Sequence, residues 1–168
     1  MDEGLIGDWF DAYSDDVYRF LVYYTARTDV EDLLQDVFIR AIDGYDSFKG
    51  EASPKTWLIS IARNIAIDEA RKRKRKDWRK LIGLYETRSE ISPEERHLSN
   101  EQQVILHRAI TQLKRDYRDV VIFRGIEELS VAETAAVLNW SESKVRVTFH
   151  RALKTLKSRL KGVYHDEE

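Results

Sequence analysis

No cysteine occurs among the 168 residues. Disulfides, thiolate nucleophiles and cysteine-ligated zinc sites are therefore excluded together, which suits a reducing compartment. Only two prolines and seven glycines are present. A turn-rich β architecture needs more of both, so an all-α chain is predicted. No apolar run approaches the roughly 20 residues that span a bilayer. The acidic opening MDEGLIGDWF, interrupted by Gly and Asp, lacks the pattern of a signal peptide. Cytoplasmic localisation is expected. His97, His107, His150 and His165 are scattered, no HExxH or Gly-rich phosphate loop is present, and the Asp32/Asp36 pair has no accompanying His. The chain thus lacks a recognisable catalytic ligand set, and no catalytic residue, metal or cofactor is predicted.

What is present is charge, unevenly distributed. The formal net charge is −2, yet residues 1–46 hold twelve Asp/Glu against three Arg, and residues 71–80 hold eight Lys/Arg against one Asp. Residues 143–165 add seven Lys/Arg and no acid. Two separated cationic segments suggest two phosphate-facing patches, with an acidic surface left for another partner. The alternative is that these runs are ordinary solvated helix faces.

The sequence is organised around Ser53 to Lys76, SPKTWLISIARNIAIDEARKRKRK. Ser53 can cap a helix and Pro54 can occupy its first turn, where a missing N–H costs nothing. Trp57, Leu58, Ile61, Ala62 and Ile65 recur at helical spacing and are expected to be buried. Lys55, Arg63, Asn64, Asp68 and Arg71 fall on or beside the polar side, which ends in six consecutive cations, Arg71 to Lys76. Such a helix is suited to lie between a protein core and a polyanion.

Upstream, Leu5 to Ala26 reads as one helix, or as two joined near Ser14-Asp15-Asp16. Its core stripe is Trp9, Phe10, Tyr13, Val17, Phe20, Leu21 and Tyr24. Asp29 is expected to open a second helix with Val30, Leu33, Leu34, Val37, Phe38, Ala41, Ile42 and Tyr45 inward. The opposite face carries Glu31, Asp32, Gln35, Asp36, Arg40 and Asp43, either as plain surface or as a docking surface for a basic partner. Gly44 to Ala52 is predicted to be a loop. Phe48 beside Lys49 in that loop could stack on an unpaired base, or could plug the core.

From Asp77 to Asn100 periodicity is lost, which marks a boundary. Ser92-Pro93-Glu94-Glu95 is a capping box, predicting a helix from Ser92 to about Lys114 with Leu98, Gln102, Ile105, Ala109 and Leu113 inward. A short helix follows at Arg118 to Arg124, with Val120, Val121 and Phe123 apolar. Ser130-Val131-Ala132-Glu133 is a second capping box opening a helix to about Leu138, and Ser141 can cap a long helix with Val145, Phe149, Ala152, Leu153, Leu156 and Leu160 inward. Two helices joined by so short a turn, the second cationic, describe a helix-turn-helix. The alternative is an αα-hairpin used for protein contact. In the DNA-binding reading Lys144, Arg146, Val147, Thr148, His150 and Arg151 reach a major groove. Arg146 could pair with guanine and Val147 could meet a thymine methyl. Arg124, Lys154 and Lys157 are assigned to phosphates.

DVEDLLQDVFIRAIDGYDSFKG followed by TWLISIARNIAIDEARKRKR resembles region 2 of extracytoplasmic-function (ECF, group 4) bacterial RNA polymerase sigma factors. LSVAETAAVLNWSESKVRVTFHRALKTLK resembles their region 4. Order and spacing match as well, and the wording is nearest to SigX-type factors. The resemblance implies a two-domain all-α protein, with region 2 over residues 1–76, a flexible linker over 77–91 and region 4 over 92–168. It implies that Asp32, Gln35, Asp36 and Arg40 grip the β′ clamp helices of core RNA polymerase. Phe48, Lys49, Lys55, Trp57, Arg63, Asn64 and Asp68 would take the flipped base and melted strand of the −10 element of promoter DNA, with Arg71 and Lys72 on its phosphates. Residues 130–151, with Arg124, would read the −35 element, Ser141 among them, and region 4 would meet the β flap. A membrane-anchored anti-sigma factor and a link to envelope stress are further implications. The family often opens its recognition helix with Gly-Thr-Val, where this chain has Ser143, Lys144 and Val145. Ser or Arg is common where Val147 and Thr148 stand, so the −35 preference is not carried over. A stand-alone helix-turn-helix regulator would explain residues 118–160 but leave Asp29 to Lys76 without a role.

Overall fold

In a computed structural model, residues 3–81 and 101–165 are described. The chain divides into two compact units, Met1–His97 and Leu98–Glu168. All regular structure among the described residues is helical.

The first unit packs three helices against one another: α1 (Glu3–Thr25), α2 (Glu31–Asp43) and α3 (Pro54–Leu81). The aromatic stripe of α1 supplies much of the core, with Trp9, Val17, Phe20, Leu21 and Tyr24 buried. α1 runs through Ser14-Asp15-Asp16 as one helix. Phe10 was expected inward but is 44% exposed, meeting Phe38 of α2 at a ring separation of 4.8 Å. Burial of the Tyr23 ring pushes its phenol up to about 12.

Asp29 does not cap α2. The helix begins at Glu31 with Val30 in the cap position and no side-chain cap bond. The Asp29 carboxylate is instead held by the Arg27 guanidinium at 2.7 and 2.9 Å. That hydrogen bonding lowers the Asp29 carboxyl below its ordinary value. Val30, Leu33, Val37, Phe38 and Ala41 are buried as predicted, while Ile42 is 41% exposed and Leu34 and Tyr45 are half-buried.

α3 starts where the sequence places it. Pro54 is its first residue, and the Thr56 N–H donates to Ser53 Oγ at 3.1 Å. Leu58, Ala62 and Ile65 are buried; Trp57 and Ile61, expected inside, are half-buried. The helix continues to Leu81, past the loss of periodicity expected from Asp77. Apolar periodicity reports burial, and residues 71–77 are exposed, so the helix there carries no core stripe to read.

The second unit comprises α4 (Glu101–Thr111), α5 (Arg115–Val121), α6 (Val131–Leu138) and α7 (Glu142–His165), with α7 packed against the other three. The predicted start at Ser92 and the core position Leu98 lie outside the described residues. α4 ends at Thr111 rather than Lys114, which stands in the cap position of α5. Gln102, expected inward, is exposed, Ile105 is half-buried, and Ala109 and Leu113 are buried.

α5 starts three residues before the predicted Arg118 and passes into a wider turn, Ile122–Ile126, closed by the Glu127 N–H donating to the Ile122 carbonyl at 2.8 Å. Val120, Val121, Ile122 and Phe123 are buried there. In α7, Val145, Ala152 and Leu156 are buried and Phe149 and Leu160 half-buried, but Leu153, expected inward, is 43% exposed. On a helix this long the apolar set is wider than the face its neighbours cover.

Candidate nucleic-acid and protein interfaces

The capping box at Ser130 forms as predicted: the Glu133 N–H donates to Ser130 Oγ at 3.0 Å, and the Ser130 N–H donates to the Glu133 carboxylate at 2.8 Å. α6 then stops at Asn139, whose φ of 55° is left-handed. The Trp140 N–H reaches back to the Ala135 carbonyl at 2.9 Å, and the Asn139 N–H to Ala136 at 3.3 Å, a Schellman closure. Ser141 caps α7 through the Lys144 N–H at 3.1 Å. Caps on both sides of a short turn fix the entry of α7, as a helix-turn-helix requires.

The predicted reading set lies along the first half of α7. Arg146, Val147, His150 and Arg151 are exposed, and Thr148 is half-buried. The Arg146 guanidinium is held by Glu142 at 2.9 Å. Lys144 Nζ stands 4.0 Å from the centroid of the Trp140 ring.

Arg124 is a correction. It was expected on phosphates, but it is half-buried, donates to the Leu129 carbonyl and lies 5.5 Å from the Phe149 ring centroid. It ties the turn before α6 to α7. A mid-sequence arginine beside glycine reads as surface until the fold shows a carbonyl in reach.

In the first unit Asp32, Gln35, Asp36 and Arg40 are all exposed on one side of α2, opposite its buried stripe. Sequence reading missed Ile39, which is 55% exposed on that same side. The signal was there, because an isoleucine between Asp36 and Asp43 interrupts a polar row. An exposed apolar residue ringed by polar ones is typical of a protein interface centre.

On α3, Trp57, Asn64, Asp68 and Arg71 recur at steps of seven, four and three and so share one face, which Arg75 continues four residues on. Asn64 is exposed and Trp57 and Asp68 half-buried. Lys55 leaves that face: its Nζ sits 3.6 Å from the Asp16 carboxylate of α1. Arg63 is half-buried away from it. Asp68 lies 3.7 Å from Arg40 of α2 and 4.0 Å from Arg71. Glu69 meets Arg27 at 3.7 Å and Arg73 at 3.5 Å. Among the described residues, no carboxylate pairs with Lys72, Arg75 or Lys76, and all three are exposed.

Lys49 is exposed in the loop before α3. Phe48 is not a free stacking ring. It is half-buried, edge-on to Trp9 at 5.2 Å and tilted on Trp57 at 5.2 Å. Gly44 opens this loop, where a Cβ would approach the Arg40 carbonyl to 3.0 Å.

Three surfaces are therefore built on rigid helices: an acidic one on α2, a mixed aromatic, amide and cationic one on α3, and a cationic helix-turn-helix. Sequence comparison assigns the chain to a class. Sigma-70 region 2 matches residues 9–76, and Sigma-70 region 4 matches residues 103–156.

Among curated relatives, the ECF RNA polymerase sigma factor SigX of Bacillus subtilis is 39% identical over 90% of this chain and 81% of its own length. The RNA polymerase sigma factor YlaC of the same organism is 32% identical, over 92% and 91%. The ECF sigma-E factor of Escherichia coli is 30% identical, over 88% and 82%. The chain belongs to the extracytoplasmic-function family of RNA polymerase sigma factors.

Two solved structures share the fold. One is the sigma factor RpoE in complex with the anti-sigma factor NepR, from Bartonella quintana, with TM-score 0.74 and 24% identity over 92% of this chain and 96% of that one. The other is CnrH in complex with the cytosolic domain of CnrY, with TM-score 0.70 and 22% identity over 96% and 90%.

Proposed function

We propose that this sigma factor docks on core RNA polymerase through Asp32, Gln35, Asp36 and Arg40 of α2, and so brings two DNA-binding surfaces to a promoter. The loop at Lys49, with Trp57, Asn64 and Asp68, takes bases of the −10 element. Arg71, Lys72 and the cations beyond them take its phosphates. Arg146, Val147, Thr148, His150 and Arg151 read the −35 element, with Ser141 and Lys144 at the helix entry. The domains are residues 1–76 and 92–168, joined by a linker at 77–91. The chain performs no chemistry itself and works in the cytoplasm. No described helix is long and apolar enough to cross a membrane. Regulation by an anti-sigma factor, released on envelope stress, is part of this proposal; the anti-sigma factor NepR named in one structure of the same fold supports such an inhibitor.

One observation carries this reading: the carboxylates of α2 and the cations of α3 and α7 occupy separate exposed faces. Within the run Arg71 to Lys76, Arg71 meets Asp68 and Arg73 meets Glu69, both on the same helix, while Lys72, Arg75 and Lys76 stay exposed. A stand-alone helix-turn-helix regulator would leave the α2 face idle. In vitro transcription with core polymerase on a genomic library tests the proposal. Stoichiometric binding to core and runoff products from defined promoters are expected, and failure of both overturns it.

A further inference from the structure

Trp9 stands on α1, outside every surface assigned above, yet its ring reaches the loop that precedes α3. It lies 5.7 Å from Tyr45, 5.2 Å from Phe48 and 6.0 Å from Trp57. Trp9 is buried, whereas Tyr45, Phe48 and Trp57 are half-buried. It is thus the inner member of a four-ring cluster that spans both ends of the loop.

The backbone of the first half of the loop is closed as well. The Ser47 N–H donates to the Gly44 carbonyl and the Phe48 N–H to the Tyr45 carbonyl, both at 2.9 Å, and Ser47 Oγ donates to the Gly44 carbonyl at 2.6 Å. Beyond Phe48 the character changes. Lys49, Gly50 and Glu51 are exposed, and Gly50 takes a φ of +69° with no atom within 4 Å of where a Cβ would stand. The loop is therefore half clamped and half open, and the clamp is aromatic.

We infer that Trp9 is a positioning residue for base capture: it sets the height and angle of Phe48 and Trp57, and so of the open segment after Phe48 that meets the unstacked base. This rests on the assignment of that loop to the −10 element. Preorganising such a segment avoids ordering it at the moment of binding, and small misplacements cost far more in a positioned step than in simple adhesion.

The test uses holoenzyme, core polymerase with the full chain, on a promoter recovered from the library transcription above. The promoter is supplied as duplex and as the same DNA with its −10 segment mismatched and already open. Trp9→Leu keeps apolar volume but removes the ring. Tyr45→Leu, at the half-buried rim, keeps the question answerable should Trp9→Leu unfold. Both are expected to lose about tenfold or more in runoff from duplex and about twofold or less from the open template. Core binding is unchanged, and Trp9→Phe retains most duplex activity. Equal loss on both templates would mean a mere folding role, and no loss on either would mean no role; each overturns the assignment of Trp9. Failure of the wild-type chain to yield any promoter from the library would overturn instead the −10 assignment on which it rests.

Discussion

The Arg40 guanidinium on α2 stands 3.7 Å from the Asp68 carboxylate on α3, and Asp68 also meets Arg71 at 4.0 Å. One acid thus holds a cation from the proposed polymerase face and another from the proposed DNA face. All three side chains are about half exposed, so the pairs contribute little to stability, of the order of 0–1 kcal/mol. Their effect is on charge available to DNA. Asp68→Asn is expected to leave the melting temperature nearly unchanged and to raise the affinity of the free chain for single-stranded DNA of unrelated sequence, where only phosphates are met. Each cation newly released to a phosphate steepens the plot of log K against log salt by about 0.7. Fluorescence anisotropy across a salt series checks this; an unaltered slope would show that Asp68 screens neither arginine.

Within α7, base readers and phosphate contacts separate by experiment. Arg146 is exposed near the capped start of the helix and Lys157 lies three turns further on. Arg146→Ala is expected to cost about 1–3 kcal/mol on the preferred −35 sequence and to relax specificity at one position. Lys157→Ala is expected to weaken all sequences alike and to lower the salt slope by about 0.9. Selection of −35 variants with each holoenzyme distinguishes them, and identical sequence logos for wild type and Arg146→Ala would remove Arg146 from the readers.

Arg124 is predicted to matter for stability. Its guanidinium donates to the Leu129 carbonyl and lies over Phe149, so Arg124→Ala removes a charge-assisted hydrogen bond worth about 1.5–3 kcal/mol. Urea unfolding is expected to shift by that amount while the salt slope of DNA binding stays constant. A lost slope with intact stability would return Arg124 to the phosphates.

The helices, both helix-turn-helix caps and the acidic face of α2 were readable because each is a local pattern: a period, a Ser three residues before a Glu, a row of carboxylates. What escaped depended on individual side-chain partners, some near and some distant in sequence, which no repeating pattern announces. Asp29 looked like a cap until Arg27 was seen to occupy it. Arg124 looked like a free cation, and Phe48 stood between stacking on a base and plugging the core until its contact with Trp9 decided for the core. Lys55 and Asp16 lie 39 residues apart, and no periodicity announces their pairing. The continuation of α3 to Leu81 was hidden for the opposite reason: an exposed cationic helix buries nothing, so no apolar stripe marks it.

On α2, Asp32 is exposed and its pattern was assigned to polymerase. Asp32→Arg is expected to abolish holoenzyme assembly in a pull-down with core while circular dichroism remains that of wild type. Ile39→Ser, at the apolar centre of that side, is expected to weaken assembly without changing its salt dependence, since it removes apolar contact and no charge. Wild-type assembly by both variants would make the α2 face ordinary surface.

The final prediction concerns Tyr23, whose burial raises its phenol from 10.0 to about 12. A raised value in the folded state means that folding favours the protonated ring. Its contribution to stability is therefore fully present below the unfolded value near 10 and is lost as pH rises through about 12. Unfolding midpoints in urea, measured through that alkaline window, are expected to fall more steeply for wild type than for Tyr23→Phe, which has no proton to lose. The comparison with Phe is essential, because the other tyrosines and the lysines titrate in the same window and affect both proteins equally. Parallel curves would show that the Tyr23 phenol is as well solvated in the folded chain as in the unfolded one, and that its ring faces water rather than the core.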